Sequence, residues 1–177
     1  VEVAATVKAV REAGNEQLIL MQCTASYPAP SDSLNVRALV TLKSTFGVPA
    51  GLSDHSRDPL IGPVTAVAVG ANILEKHFTF SNELPGPDHQ YAVEPEELRL
   101  MVRKVREAEA ALGSGEKVSH PVEAELKGFA RRSIFSVQQI AAGERLTKEN
   151  VAVLRCGNLR RGLAPAQFEE ILGRQAR

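Results

Sequence analysis

The sequence predicts an α/β chain in which a parallel sheet of βα units is followed by a smaller module of another pattern. Three observations predict it. Short apolar runs alternate with helical periodicity up to Gly113, as βα units require. Two of those runs end in a polar cluster that closes on a histidine, Gly51-Leu52-Ser53-Asp54-His55 and Ile73-Leu74-Glu75-Lys76-His77. After Gly113 the alternation stops, and a polar stretch leads into short strands separated by a turn.

The elements follow in order. Val3, Val7 and Val10 fall on one helical face, ended by Gly14-Asn15. Residues 18–23 read as a short apolar strand, which makes Cys23 a small buried hydrophobe rather than a nucleophile. Residues 24–30 are a loop by their prolines. Ser31-Asp32-Ser33 is expected to cap a helix that turns Ala38, Leu39, Leu42 and Phe46 inward. Residues 48–53 form the next strand, and Asp58-Pro59 opens a helix to about Gly70 with Ile61, Val64 and Ala68 inside. Residues 71–76 are the third strand. An irregular loop then runs to Val93, and Pro95 opens an amphipathic helix with Leu98, Met101, Val102, Val105 and Leu112 on one face. Strands so connected pair in parallel with right-handed crossovers. The expected division is 1–113 for the βα part, 114–128 for a polar linker, and 129–177 for the small module. In that module residues 133–137 and 151–155 are strands, and residues 165–172 are a helix stopped by Gly173.

Composition narrows the function. The 177 residues carry 21 basic and 21 acidic groups, so no net charge attracts nucleic acid or an anionic membrane. The basic run 155–161 holds no aromatic side chain to stack a base. No apolar run reaches membrane-spanning length. Cys23 and Cys156 are the two cysteines, far apart and without a partner nearby, and read as free thiols of a cytoplasmic protein. Val1 is not a start methionine, which predicts a piece of a longer chain.

The chemistry-bearing residues cluster at strand ends. A parallel sheet delivers side chains into a crevice at its carboxyl edge, and there His55 and His77 can share one divalent ion. A lone histidine is ordinarily a satisfied core or surface group; two at corresponding ends of neighbouring strands are not so readily dismissed. Strand alternation puts Ser53 with His55, and Glu75 with His77, while Lys76 faces away. Ser53 either satisfies its own turn or donates to an anion. Asp88, in Pro85-Gly86-Pro87-Asp88-His89, is either a turn cap or a carboxylate held over the site. Tyr27 walls a pocket or covers the sheet edge. Arg155, at a strand end, is by default solvated.

At these residues the sequence resembles the sialic acid synthase (N-acetylneuraminate synthase) family. The strings that carry the resemblance are Gln22-Cys23-Thr24 with Tyr27-Pro28 and Pro30, Gly51-Leu52-Ser53-Asp54-His55, Glu75-Lys76-His77-Phe78-Thr79 and Pro85-Gly86-Pro87-Asp88-His89. Ala130-Arg131-Arg132-Ser133-Ile134 and Arg155 with Gly157-Asn158 extend it. The resemblance implies the carboxyl-terminal portion of a (β/α)8 TIM barrel, about its last three βα units, followed by a β-clip domain (also called SAF or antifreeze-like) that stops before its final strands.

It also implies a function: condensation of phosphoenolpyruvate with N-acetylmannosamine or a related N-acetylated hexosamine, releasing phosphate. By position, His55 and His77 are similar to the protein ligands of a divalent metal, manganese foremost, with magnesium or cobalt as alternatives. Ser53 is similar to a phosphoenolpyruvate contact, and Tyr27, Glu75 and Asp88 to residues around the sugar, with Glu75 either handling a proton or holding the sugar. Arg155 is similar to an arginine that reaches a partner subunit's acceptor in a domain-swapped homodimer. Ala25, Cys156 and Leu159 depart from the family pattern, the latter two beside Arg155. Two further readings are a carbohydrate-binding or assembly protein without catalysis, and a phosphoenolpyruvate synthase whose acceptor lacks an acetamido group. Three βα units cannot close a barrel, so residues 1–177 alone are expected to be inactive.

Overall fold

The structure is a computed structural model and describes residues 2–177. The chain divides into two compact units, residues 1–115 and 116–177. The first runs α1 (Glu2–Glu12), β1 (Leu20–Cys23), α2 (Ala38–Phe46), β2 (Ala50–Asp54), α3 (Ile61–Ala68), β3 (Ile73–Lys76) and α4 (Pro95–Leu112). Its strands form one parallel sheet in the order β1-β2-β3, with Cys23, Ser53 and Glu75 in one row.

Register decides which side chains face which way. On central strand β2, Ala50, Leu52 and Asp54 point towards the helices, and Gly51 and Ser53 point the other way. The helix side carries the core of Leu39, Ala50, Leu52 and Ala66, with Val36, Leu42, Val69 and Leu74 packed around it. β2 is buried throughout, as a strand paired on both edges should be. After β3 the chain runs out through an irregular loop and returns at Val93, which bridges Phe78 in parallel. Val93 is fully buried, donating to His77 O at 2.9 Å and accepting from Thr79 N at 3.0 Å.

Several expectations are corrected. Ser31–Ser33 is a separate 3-10 turn, because Asn35 takes a positive φ of 45° and breaks the helix before α2. Asp58 does bind helix-start amides, those of Leu60 and Ile61, but α3 begins only at Ile61. Its buried face is Gly62, Pro63 and Ala66, while Ile61 and Ala68 are exposed. On α4, Met101 is buried, yet Val102 and Leu112 are about half exposed, since the stripe outruns what α3 covers. Cys23 is exposed, because it lies on the face of the sheet that the helices do not cover.

The second unit holds α5 (Ala124–Ala130), β4 (Arg132–Ser136), β5 (Val151–Arg155) and α6 (Phe168–Ile171). Within the stretch read as a polar linker, Pro121–Glu123 is a 3-10 turn leading into α5. β4 and β5 pair antiparallel over a core of Ile134, Val151 and Ile171, closed by Ile140, Leu146, Phe168 and Leu172. The expected last helix is a 3-10 turn, Pro165–Gln167, followed by α6, and Gly173 beyond it has φ 80°. Among the described residues, no helix is long and apolar enough to cross a membrane.

Candidate functional site

The site face of the sheet ends in two linked pairs. Ser53 Oγ donates to Glu75 Oε1 at 2.6 Å, across the register of β2 and β3. Two residues further along each strand's path to the crevice, the rings of His55 and His77 stand 5.2 Å apart, edge to face. Lys76 and Asp54, between these groups in sequence, go to the other side. The Lys76 ammonium there meets Asp54 Oδ2 at 2.8 Å, Asp58 O at 2.9 Å, Ser56 Oγ at 3.2 Å and Ser56 O, and both charged side chains are buried. Asp54 Oδ1 accepts from Ser56 N at 2.8 Å. Both strand ends are thereby tied to the loop that follows β2. Asp54 is thus an ion-pair partner under the helices and no part of the crevice.

His55 has a defined tautomer. Its Nδ1 lies 3.0 Å from Thr24 O, an acceptor only, so Nδ1 carries a proton and Nε2 is the nitrogen left for a ligand. Cys23 Sγ stands 3.6 Å from the same nitrogen. Backbone-held Nδ1 is the arrangement metal-binding histidines ordinarily show. Among the described residues, no group of three or more His, Cys, Asp or Glu side chains is arranged to hold a metal ion, so any ion on His55 and His77 would complete its shell from water or substrate.

Aromatic rings wall the crevice. Tyr27 packs on His55 at 4.4 Å and approaches Tyr91 at 5.7 Å, and Tyr91 reaches His77 at 5.1 Å. The Tyr91 hydroxyl donates to Asp88 Oδ1 at 2.5 Å, and Asp88 Oδ2 stands 3.8 Å from His77 Nδ1. Burial, then the bond to Asp88, pushes the Tyr91 phenol up to about 12. These groups border a cavity of about 710 Å³ that Tyr27, Pro28, Arg57, His77, Asp88 and Tyr91 help line. Arg57 is braced at 2.8 Å by Glu97 and at 3.1 Å by Asn82. Burial raises the Glu97 carboxyl, but its bonds to Arg57 and to the Glu94 backbone outweigh this and leave it below the usual range.

Of the residues singled out in sequence, Tyr27, His77 and Asp88 line this cavity, His55 packs on Tyr27 and His77 behind it, and Ser53 and Glu75 pair on the same face of the sheet two residues back along β2 and β3. Arg155 lies in the second unit, exposed, opposite Arg132 in the β4–β5 register. Neither guanidinium has an acidic partner among the described residues. Next to it Cys156 is buried and donates its backbone N–H to Arg131 O at 2.9 Å. Tyr91 and Arg57 escaped the sequence reading. Tyr91 could have been found from its spacing, three residues after Asp88, which stacks the two in a 3-10 turn.

Comparison with known proteins agrees with this architecture. The model of the NeuB family matches residues 1–117, and that of the SAF domain matches residues 131–177. The chain is 40% identical over 159 residues to the N,N'-diacetyllegionaminic acid synthase of Legionella pneumophila, covering 90% of this chain and 44% of that protein. The crystal structure of the Bacillus subtilis spore coat polysaccharide biosynthesis protein SpsE superposes with a TM-score of 0.60 at 38% identity, covering 98% of this chain and 53% of that one. The N-acetylneuraminic acid synthetase of Leptospira borgpetersenii, solved with citrate, gives 0.63 at 36% identity over 71% of this chain and 44% of its own. The chain spans about half the length of the curated relatives it matches. Its βα units are the carboxyl-terminal portion of a (β/α)8 barrel and its antiparallel module is a SAF domain: the chain belongs to the NeuB family, that of the sialic acid synthases.

Proposed function

We propose that this sequence supplies part of a nonulosonic acid synthase that condenses phosphoenolpyruvate with N-acetylmannosamine or a related N-acetylated hexosamine. The observation that carries the proposal is the double pairing at the ends of β2 and β3, Ser53 with Glu75 and His55 with His77, in a chain of this family. Carbon 3 of phosphoenolpyruvate bonds to the open-chain sugar's aldehyde carbon, whose oxygen gains a proton. Water then adds at carbon 2, and phosphate leaves with its bridging oxygen as the C–O bond breaks.

His55 and His77 are the residues that would hold a divalent ion, manganese foremost; when bound, it supplies Lewis-acid polarisation of the aldehyde oxygen. Ser53 sits where its hydroxyl can turn from Glu75 to an anionic group of phosphoenolpyruvate. Glu75, an acceptor in the resting site, either exchanges the proton at the acceptor's oxygen or holds a sugar hydroxyl; the E75Q variant separates the two, since an amide keeps the hydrogen bond but carries no proton. Tyr27 and Asp88 flank the sugar. Arg155, exposed and without an acidic partner among the described residues, is assigned to the acetamido group of an acceptor bound in the other subunit of a domain-swapped homodimer. Phosphoenolpyruvate as donor suits a cytoplasmic enzyme.

The test is phosphate release by the sequence carried in a complete barrel chain. Release is expected only with phosphoenolpyruvate, an N-acetylhexosamine and a divalent ion together, and oxygen-18 in the bridging position should appear in the phosphate. No release with N-acetylmannosamine or its diacetamido relatives would overturn the reading. Residues 1–177 alone should release none.

A further inference from the structure

We propose that Tyr91 is a positioning residue that fixes Asp88 as a hydrogen-bond acceptor for the hydroxyl groups of a sugar in the crevice. The inference rests on the function proposed above and names a residue which that reading does not need.

The geometry makes the case in steps. Asp88 follows Pro85-Gly86-Pro87, and Gly86 holds a φ of 145°, which side-chain-bearing residues rarely adopt. Its side chain is 61% exposed, so by itself the carboxylate would sample many rotamers. The turn behind it is bolted down. Asn82 Nδ2 donates to His89 O at 2.5 Å and to Ala92 O at 2.9 Å, and His89 Nδ1 meets Thr79 Oγ1 at 2.7 Å. Tyr91 is 6% exposed, wedged against His77 and Tyr27. Its hydroxyl can therefore hold Asp88 Oδ1 from a rigid mount. That leaves Oδ2 at the mouth of the cavity, 3.8 Å from His77 Nδ1, too far to be spent on a hydrogen bond there. A carboxylate so fixed accepts from neighbouring hydroxyls, while the exposed Tyr27 ring offers an apolar face to the C–H face of a sugar. The ligand class that fits is a polyhydroxylated acceptor rather than an anion, since Asp88 would repel phosphate or carboxylate.

The experiment uses the whole synthase. Y91F keeps the ring and removes the hydroxyl. It should raise the KM for N-acetylmannosamine about tenfold, as expected for a lost hydrogen bond to a charged group, with the KM for phosphoenolpyruvate unchanged. D88N should do the same without touching the packed ring, and Y91F/D88N should cost no more than D88N alone, because the two act as one unit. Equal acceptor KM in Y91F and wild type, or additive losses in the double variant, would overturn the proposal. Calorimetry of N-acetylmannosamine binding distinguishes its failure from that of the reaction itself. Sugar binding that weakens in Y91F without any phosphate release sinks only the reaction; no binding to the wild type, or binding untouched by Y91F, sinks the role of Tyr91.

Discussion

The buried Lys76 ammonium lies 2.8 Å from Asp54 Oδ2 on the helix side of the sheet, each one residue before a histidine that faces the crevice. The pair ties β2 to β3 just below the site. Removing one partner strands the other charge in the interior. K76M should therefore cost about 3–5 kcal/mol, read by urea unfolding, and the K76M/D54N double variant should recover part of that loss. Equal stability of K76M and wild type would show that the pair does not hold the strand ends.

Gly62 faces that same carboxylate. A Cβ at this position would stand 2.5 Å from Asp54 Oδ2 and 2.8 Å from its Cγ. Neither partner is free to move, since Asp54 is held by Lys76 and Ser56. G62A should lose about 1–3 kcal/mol although alanine is the better helix former. A Tm at or above wild type would mean that α3 shifts at no cost.

His55 and His77 carry the metal prediction. H55A and H77A should each lower Mn2+ affinity at least about a hundredfold, above the loss typical of an outer-shell partner. Paramagnetic resonance of free Mn2+ reads this without turnover. A chelator should abolish phosphate release, and added Mn2+ should restore it in the wild type alone. Unchanged binding in either variant removes that histidine from the site.

Tyr91 predicts a pH dependence. Burial and the bond to Asp88 raise its phenol to about 12, above the ordinary value of 10.0. The folded state thus holds this proton more tightly than the unfolded chain does. The corresponding stability is fully present below about pH 10 and is lost as pH rises through about 12. Denaturation midpoints should fall over that interval in the wild type and fall less steeply in Y91F. Identical slopes would contradict the buried, bonded phenol.

The opposed facing of neighbours was legible in the sequence because a strand has a period of two. Ser53 and Glu75 on one side, with Lys76 on the other, follow from alternation once the strands are placed. Burial was less legible. Ile61, Ala68 and Val102 have the right chemistry for a core and are exposed, because periodicity marks a face without saying what covers it. Asn35 ended a helix that composition alone would continue. The α5 segment was lost in a polar stretch whose caps are weak signals.

What the sequence determined by itself was the succession of βα units, the change of pattern after Gly113, and a pair of histidine-ended strands. Local rules of period, capping and turn chemistry act over a few residues and need no partner. Only the tertiary structure decided that Tyr91 reaches His77, that Arg57 is braced by Glu97 and Asn82, and that Asp54 belongs to Lys76. Those contacts join residues that the chain separates by a loop or a whole βα unit, and their distances exist only once the parallel register has set each strand end beside the next.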